Sequence, residues 1–137
     1  MSLANRKSSG VAIVFGNSIL LAKRIPEWNG KPISYGGYWS IFGGGLEENE
    51  TLPQCASREL KEEADIDSNP NDLIFIKSFI ENGNHFHFYI LEVLECVYPT
   101  LNEEHTEFGW FKISYLENFP SPIDSKIIDC ISIYKNT

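Results

Sequence analysis

The sequence predicts one domain of the α/β class, and three observations support this prediction. The chain has 137 residues, of which 42% are hydrophobic, enough for one buried core but short for two. Short runs rich in β-branched and aromatic residues, separated by turn signals, are typical of strands. Two segments, 51–64 and 123–134, instead repeat apolar residues at helical spacing. We therefore expect a single domain over residues 1–137.

The first third of the chain predicts a hairpin, a long loop and a glycine-rich turn. Apolar segments 11–15 and 19–22 are joined by Gly-Asn-Ser, which is a hairpin signal. Residues 25–38 are rich in Pro, Gly, Asn and Tyr, and long loops of this kind in compact domains are often functional. A short extended segment, 39–42, then leads into three consecutive glycines at 43–45.

The remaining elements are two helices and three strands. Thr51 and Gln54 have the spacing of a capping box, and Pro53 lies in the first turn, where its missing N–H costs little. The strands are predicted at 73–80, 85–94 and 108–113, and an amphipathic helix at 123–134 ends the chain.

Charge and cysteine content exclude several function classes. Asp and Glu outnumber Lys and Arg by 19 to 11, giving a net charge of −8, so neither a nucleic-acid polymer nor an anionic membrane is an expected partner. Cys55, Cys96 and Cys130 are far apart and form no CxxC pair, which favours free thiols in a reducing compartment. No signal peptide or apolar run of about 20 residues is visible. These features together predict a cytoplasmic protein.

The predicted helix 51–64 places carboxylates where a surface helix would not. With Leu52 at zero on a helical wheel, Glu59, Glu62 and Glu63 fall at about 340°, 280° and 20°, on or beside the apolar side. Ser57 falls on the opposite side, which is expected to be solvated. Three converging carboxylates repel one another unless a hard cation lies among them. The pattern predicts a Mg²⁺ site, with Mn²⁺ as an alternative, rather than an acidic surface helix.

The three glutamates belong to a longer pattern of fixed spacing, made of Gly44, Glu50, Arg58, Glu59, Leu60, Glu62, Glu63 and Ile66. This pattern resembles the Nudix box, G-x5-E-x7-R-E-U-x-E-E-x-G-U, where U is aliphatic. The sequence departs from it at Asp65, where the family has a glycine that is expected to end the helix in a left-handed conformation.

The resemblance implies a fold, a reaction and a set of roles. The fold would be a mixed sheet packed between helices, an α/β/α sandwich. The reaction would be hydrolysis of a pyrophosphate bond in a nucleoside diphosphate linked to another moiety, using a divalent cation. The implied metal ligands are Glu59, Glu62, Glu63 and the carbonyl of Gly43. The implied supporting residues are Gly44, Glu50 and Arg58, and the implied catalytic residues are Glu62, Glu63 and Glu104, with Glu103 and Glu107 as rivals of Glu104.

Other candidate contacts each have a plainer interpretation. Lys23 and Arg24 can contact phosphates or simply make a strand end soluble. The loop aromatics Trp28, Tyr35 and Tyr38 can stack on a base, with Tyr38 the chosen contact, although such side chains more often pack inward.

The histidines suggest a second metal. His85 and His87 alternate with phenylalanines on one strand, and with His105 they could bind zinc. A half-buried strand with its polar face outward explains them better. Cys55 is similarly expected to be a small core residue rather than a nucleophile.

We expect the substrate to be a (deoxy)nucleoside triphosphate, cleaved to a monophosphate and pyrophosphate by a monomer or homodimer. ADP-ribose, another nucleotide sugar and a dinucleoside polyphosphate are alternative substrates. A Nudix-fold binding module without turnover and a structural domain are alternatives of another class. The intact set of three box glutamates argues against a silent module.

Overall fold

The computed structural model describes residues 6–136. Strands β1 to β6 precede helix α1, strands β7 to β9 follow it, and helix α2 ends the described chain. The strands are β1 Arg6–Phe15, β2 Ser18–Arg24, β3 Glu27–Trp28, β4 Lys31–Pro32, β5 Trp39–Ser40, β6 Phe42–Gly45, β7 Ile74–Glu81, β8 Asn84–Glu92 and β9 His105–Lys112; the helices are α1 Leu52–Ala64 and α2 Ser125–Lys135.

Seven of the strands form one mixed sheet. Its order is β5-β2-β1-β8-β7, with β6 paired to β1 and β9 paired to β2. Strand β1 is parallel to β8 and antiparallel to β2 and β6, so it lies at the centre of the fold. The two remaining strands, β3 and β4, form a separate small hairpin inside the long loop 25–38.

The helices cover opposite faces of this sheet. Successive side chains of a strand point to opposite faces, and β1 accordingly contributes to two clusters. Val11 and Ile13 pack with α1, whereas Ala12 and Val14 pack with α2. The arrangement confirms the predicted α/β/α sandwich with a mixed sheet between helices.

The ends of α1 form as the sequence predicts. The Thr51 side chain accepts a hydrogen bond from the Gln54 backbone N–H, and the Gln54 side chain accepts one from the Thr51 N–H. Asp65 ends the helix with φ 56° and ψ 40°, the left-handed conformation expected at this position. The prediction of a solvated Ser57 is wrong, because Ser57 is buried and its hydroxyl accepts a hydrogen bond from Ser68 in the returning chain.

Several predicted boundaries are too short because strand pairing extends beyond the apolar runs. Strand β1 begins at Arg6 rather than at residue 11, since its polar start pairs with β6 and β8. Strand β9 begins at His105 rather than at residue 108. Helix α2 differs in the other direction: it begins at Ser125, after the N-cap Asp124, rather than at residue 123.

Residues 1–5, which contribute to the expected absence of a signal peptide, lie outside the described residues. Within residues 6–136, the helices are too short or too polar to span a bilayer.

Candidate active site

Glu63 is the most deeply buried of the box carboxylates. It faces the sheet from α1 and is 1% exposed. One oxygen, Oε1, accepts a hydrogen bond of 3.3 Å from the Gly43 N–H. The other, Oε2, is buried and has no hydrogen-bond partner. Burial without compensation favours the protonated carboxyl, and desolvation is the main reason that the pKa of Glu63 is raised to about 9.

At position 44, Glu59 lies directly against the backbone. A Cβ atom on Gly44 would lie 2.0 Å from Oε2 of Glu59, so a larger residue there would displace the Glu59 carboxylate. At Gly43 a Cβ would lie 2.5 Å from the Ser9 carbonyl of β1. The glycines therefore let strand β6 fit between β1 and the carboxylates of α1.

Arg58 ties the glycine strand to the helix. Its guanidinium binds Glu50 at 2.7 Å and 3.1 Å, through Nε and Nη2. It also donates to the Gly45 carbonyl at 3.0 Å and to Glu62 at 3.1 Å. These charge-assisted bonds lower the pKa of Glu50 and raise that of Arg58. Arg58 thus links Glu50, strand β6 and helix α1 through one guanidinium group.

The carboxylates share one electrostatic environment. Burial raises the pKa of Glu59, and the charges of Glu62 and Glu104 raise it further. The charges of Glu104 and Glu59 likewise raise the pKa of Glu63. The loop before β9 therefore brings Glu104 to the helix carboxylates, whereas its rivals Glu103 and Glu107 are exposed. The Asn102 side chain accepts a hydrogen bond from the Glu104 N–H at 2.9 Å.

The donor set fits a hard divalent cation, although it is not closed into a site. Among residues 6–136, no group of three or more Asp, Glu, His or Cys side chains is already arranged to hold a metal ion. Glu62 is 53% exposed and its Oε2 accepts a hydrogen bond from Arg58. Nevertheless, Glu63 offers an unpartnered buried oxygen, and the nearby carboxylates of Glu59 and Glu104 offer further oxygens, the ligand type that Mg²⁺ and Mn²⁺ prefer.

A cleft of about 750 Å³ lies along the glycine strand, and the carboxylates of α1 are not among its lining residues. It lies between strand β6, the α2 face of the sheet, the long loop and the start of α2. Arg24 lines this cleft, but Lys23 does not, so the structure separates two residues that the sequence could not distinguish. Gly43, Gly44 and Gly45 line the cleft, and Gly43 and Gly44 also lie against Glu63 and Glu59.

The sequence did not single out several residues that line the cleft. Lys126, on the first turn of α2, contacts Asp124 at 3.2 Å and Glu81 at 3.5 Å and donates to the Tyr35 hydroxyl at 3.0 Å. Its ammonium group also lies 4.3 Å from the centroid of the Tyr35 ring. An N-cap signal at Asp124 would have located the start of α2, but the partners on other elements carry no local signal.

The loop aromatics do not pack inward as a group. Trp28 is 48% exposed and Tyr38 is 38% exposed, so the interpretation of inward packing is wrong for these two. Tyr35 is half-buried and meets Tyr38 edge to face at 5.5 Å. Of the three, Tyr35 lines the larger cleft, and Tyr38 lines a shallower depression beside it.

The structure does not bring the three histidines together. His85 and His87 are half-buried on β8, whereas His105 lies on β9, separated from β8 by β2 and β1. The His105 ring is buried beside Phe42 at 5.2 Å between centroids. Burial and the neighbouring Arg24 lower the pKa of His105 to about 4. Cys55 is a buried core residue with a free thiol, as predicted.

Family comparison identifies the class of protein. The NUDIX domain family matches residues 4–129, and the chain therefore belongs to the Nudix family. It is a Nudix hydrolase, and its family acts on substrates that contain a nucleoside diphosphate linked to another moiety. Nudix hydrolases use divalent metal ions. No curated protein sequence matches the chain.

Solved structures share its fold. A MutT protein from Methanosarcina mazei Go1 superposes with a TM-score of 0.76 at 19% identity, over 96% of this chain and 93% of that one. A MutT NUDIX hydrolase from Burkholderia pseudomallei superposes with a TM-score of 0.70 at 24% sequence identity, over 93% of this chain and 96% of that one. A third structure is that of a bifunctional NMN adenylyltransferase/ADP ribose pyrophosphatase from Francisella tularensis, complexed with AMP and a Mn ion. It superposes with a TM-score of 0.71 at 21% sequence identity, over 96% of this chain but 41% of the longer protein.

Proposed function

We propose that the protein hydrolyses a (deoxy)nucleoside triphosphate to a nucleoside monophosphate and pyrophosphate, using Mg²⁺. The observation that carries this proposal is that the glycine strand borders both the carboxylates and the cleft. Glu59 and Glu63, which suit a divalent cation, lie against Gly44 and Gly43, and the same glycines line a cleft large enough for a nucleoside. A polyphosphate that crosses this strand would have its phosphates near both.

The charge balance of the cleft supports a highly charged substrate. Among the described residues, Arg6, Lys7, Arg24 and Lys126 line the cleft, against the carboxylates of Glu81 and Asp124. Both carboxylates contact Lys126, and the four cations exceed the two carboxylates by two positive charges. A positive cleft in a chain of net charge −8 favours an anionic ligand, and a triphosphate has more charge than ADP-ribose.

The proposed roles follow from the positions of the side chains. Glu59, Glu62, Glu63 and the carbonyl of Gly43 would hold the cation, which supplies positive charge against the phosphates when bound. Glu104, or a box carboxylate that is free of the metal, accepts a proton from the attacking water. Gly44, Glu50 and Arg58 keep the glycine strand in place.

The proposed substrate contacts lie on the cleft side. Arg24 binds a phosphate oxygen, while Tyr38 contacts the nucleoside at the mouth of the cleft. Lys23 lies outside the cleft, so we give it no more than a supporting electrostatic role. We further propose that the protein acts in the cytoplasm, as a monomer or a homodimer.

Product analysis with a nucleotide panel tests the proposal. The protein is incubated with Mg²⁺ and nucleoside triphosphates, ADP-ribose, a nucleotide sugar or a dinucleoside polyphosphate, and the products are identified by mass. We expect monophosphate and pyrophosphate from a triphosphate, with turnover abolished in Glu62→Gln. Glu117→Gln, a matched change at an exposed position, should leave turnover unchanged.

Other outcomes select the alternatives. Cleavage of ADP-ribose alone would favour the activity named for the Francisella protein. If no substrate is cleaved but Mg²⁺ or a nucleotide raises the melting temperature, the protein is a binding module. If neither has any effect on melting, a structural role replaces the proposal.

A further inference from the structure

Buried polar atoms without partners are concentrated at one place in the molecule. In the part of the chain that the structure describes, four buried side-chain atoms lack a hydrogen-bond partner: Nε of Arg24, Oε2 of Glu63, and both ring nitrogens of His105. Buried polar groups are generally hydrogen-bonded, and each unmade bond costs about 1–3 kcal/mol. The roles proposed above use Arg24 and Glu63 but leave His105 without one.

His105 and Arg24 lie next to each other on adjacent strands of the sheet. They are opposite partners in the antiparallel pairing of β9 with β2, at a point where the register shifts. Opposite residues of an antiparallel pair point to the same face, with Cβ atoms about 4.5–5.5 Å apart. The guanidinium of Arg24 also contributes to the electrostatic environment of both His105 and Glu63. The three side chains therefore share one buried region.

The surroundings fix the His105 ring and the Arg24 backbone but leave the Arg24 side chain to be oriented. Phe42 packs edge to face against the imidazole. The Arg24 N–H donates to the Tyr38 carbonyl at 2.9 Å, and the Arg24 carbonyl accepts from Gly37. Arg24 is also one of the residues that line the cleft. An imidazole offers an acceptor nitrogen that suits the Nε–H of arginine.

We propose that His105 is a positioning residue for Arg24: a single water molecule accepts a hydrogen bond from Nε and donates one to a ring nitrogen of His105, and this bridge directs the guanidinium toward a substrate phosphate. This inference rests on the proposed function, because it assumes that Arg24 binds phosphate. His105 itself touches no substrate. Its contribution should therefore disappear when Arg24 is absent.

A double-mutant cycle on phosphate binding tests this inference. The proteins are the wild type, Arg24→Ala, His105→Phe and the double variant, and the probe is inorganic pyrophosphate with Mg²⁺, measured by calorimetry. We expect His105→Phe to raise the Kd of pyrophosphate about tenfold, which is the loss of about 1.4 kcal/mol. In the Arg24→Ala background the same change should have less than a twofold effect.

Further variants separate positioning from packing. His105→Asn and His105→Gln keep a side-chain acceptor and should recover part of the affinity, which a purely structural role would not produce. They also serve if the phenylalanine variant fails to fold. His85→Phe, the same change on β8 beside Lys7 and Ile80, is the matched control and should leave the Kd unchanged.

The outcomes are distinct from those of the proposed function. Equal effects of His105→Phe with and without Arg24, or no effect in either background, would overturn the inference, as would a wild type that does not bind pyrophosphate. If the cycle behaves as expected but no nucleotide is hydrolysed, the positioning role stands and the proposed reaction fails. If turnover is found, KM should rise more than kcat falls in His105→Phe.

Discussion

Replacing Arg58 with lysine should separate the shape of the arginine from its charge. Arg58 makes two bonds to Glu50, at 2.7 Å and 3.1 Å, and one of 3.0 Å to the Gly45 carbonyl. Its side chain is 23% exposed and that of Glu50 is 12% exposed, so the two bonds to Glu50 are partly shielded from water, whereas the bond to the Gly45 carbonyl is exposed. An ammonium group cannot reproduce this planar fork of donors.

The expected loss follows from the bonds that lysine cannot make. Lysine can keep one contact with Glu50, and the other bonds are lost, each worth about 1.5 kcal/mol when one group is charged. After partial relaxation we expect Arg58→Lys to lower the free energy of unfolding by about 2–3 kcal/mol. For a chain of 137 residues that is a fall of roughly 6–10 °C in Tm. The freed glycine strand should also lower kcat by about tenfold or more.

Thermal melting followed by turnover measurement checks both effects. The matched control is Arg6→Lys, since Arg6 is exposed and donates a hydrogen bond of 3.3 Å to the Asn82 carbonyl; it should lower Tm by less than 2 °C. An Arg58→Lys protein that melts like the Arg6→Lys protein would refute the reasoning, because the bidentate geometry would then contribute nothing.

Three other changes have expected outcomes. In metal-free protein the wild-type Tm should fall as pH rises from about 5 to 9. The reason is that Glu63 in the folded protein, with a pKa of about 9, keeps a proton that the unfolded chain releases near pH 4.5. Glu63→Gln should flatten this pH dependence and weaken the stabilisation by Mg²⁺. Asp65→Gly should raise Tm by about 1–3 °C, because relief of the left-handed backbone strain, about 1 kcal/mol, exceeds the loss of the exposed ion pair with Lys61. Asp65→Ala should instead lower Tm. Glu104→Gln should reduce kcat by at least about 100-fold and exposed Glu103→Gln should not; similar losses in both, measured in the same assay, would reject Glu104 as the proton acceptor.

Much of the fold and part of the candidate site could be predicted because they depend on neighbours in the chain. The capping box of Thr51 and Gln54 and the left-handed Asp65 involve residues within one helical turn. The helical wheel likewise places Glu59 and Glu63 beside the apolar side from their spacing alone, and both carboxylates are shielded in the structure. Local geometry therefore specified the helix that carries the box.

The errors arise where distant segments meet. Ser57 has a wheel position typical of a solvated residue, but the chain at Ser68 returns over it. The start of β1 is polar and gave no strand signal, yet it pairs with both β6 and β8. Neither contact can be deduced from the residues next to these positions.

The sequence by itself determined the family and the acidic helix, because spacing along one helix fixes which side chains share a face. Only the tertiary structure decided that Arg24 rather than Lys23 lines the cleft, that His105 lies opposite Arg24, and that Glu63 is fully buried. Burial and cross-strand neighbours depend on which segments of the chain pack together, and no local pattern specifies that pairing.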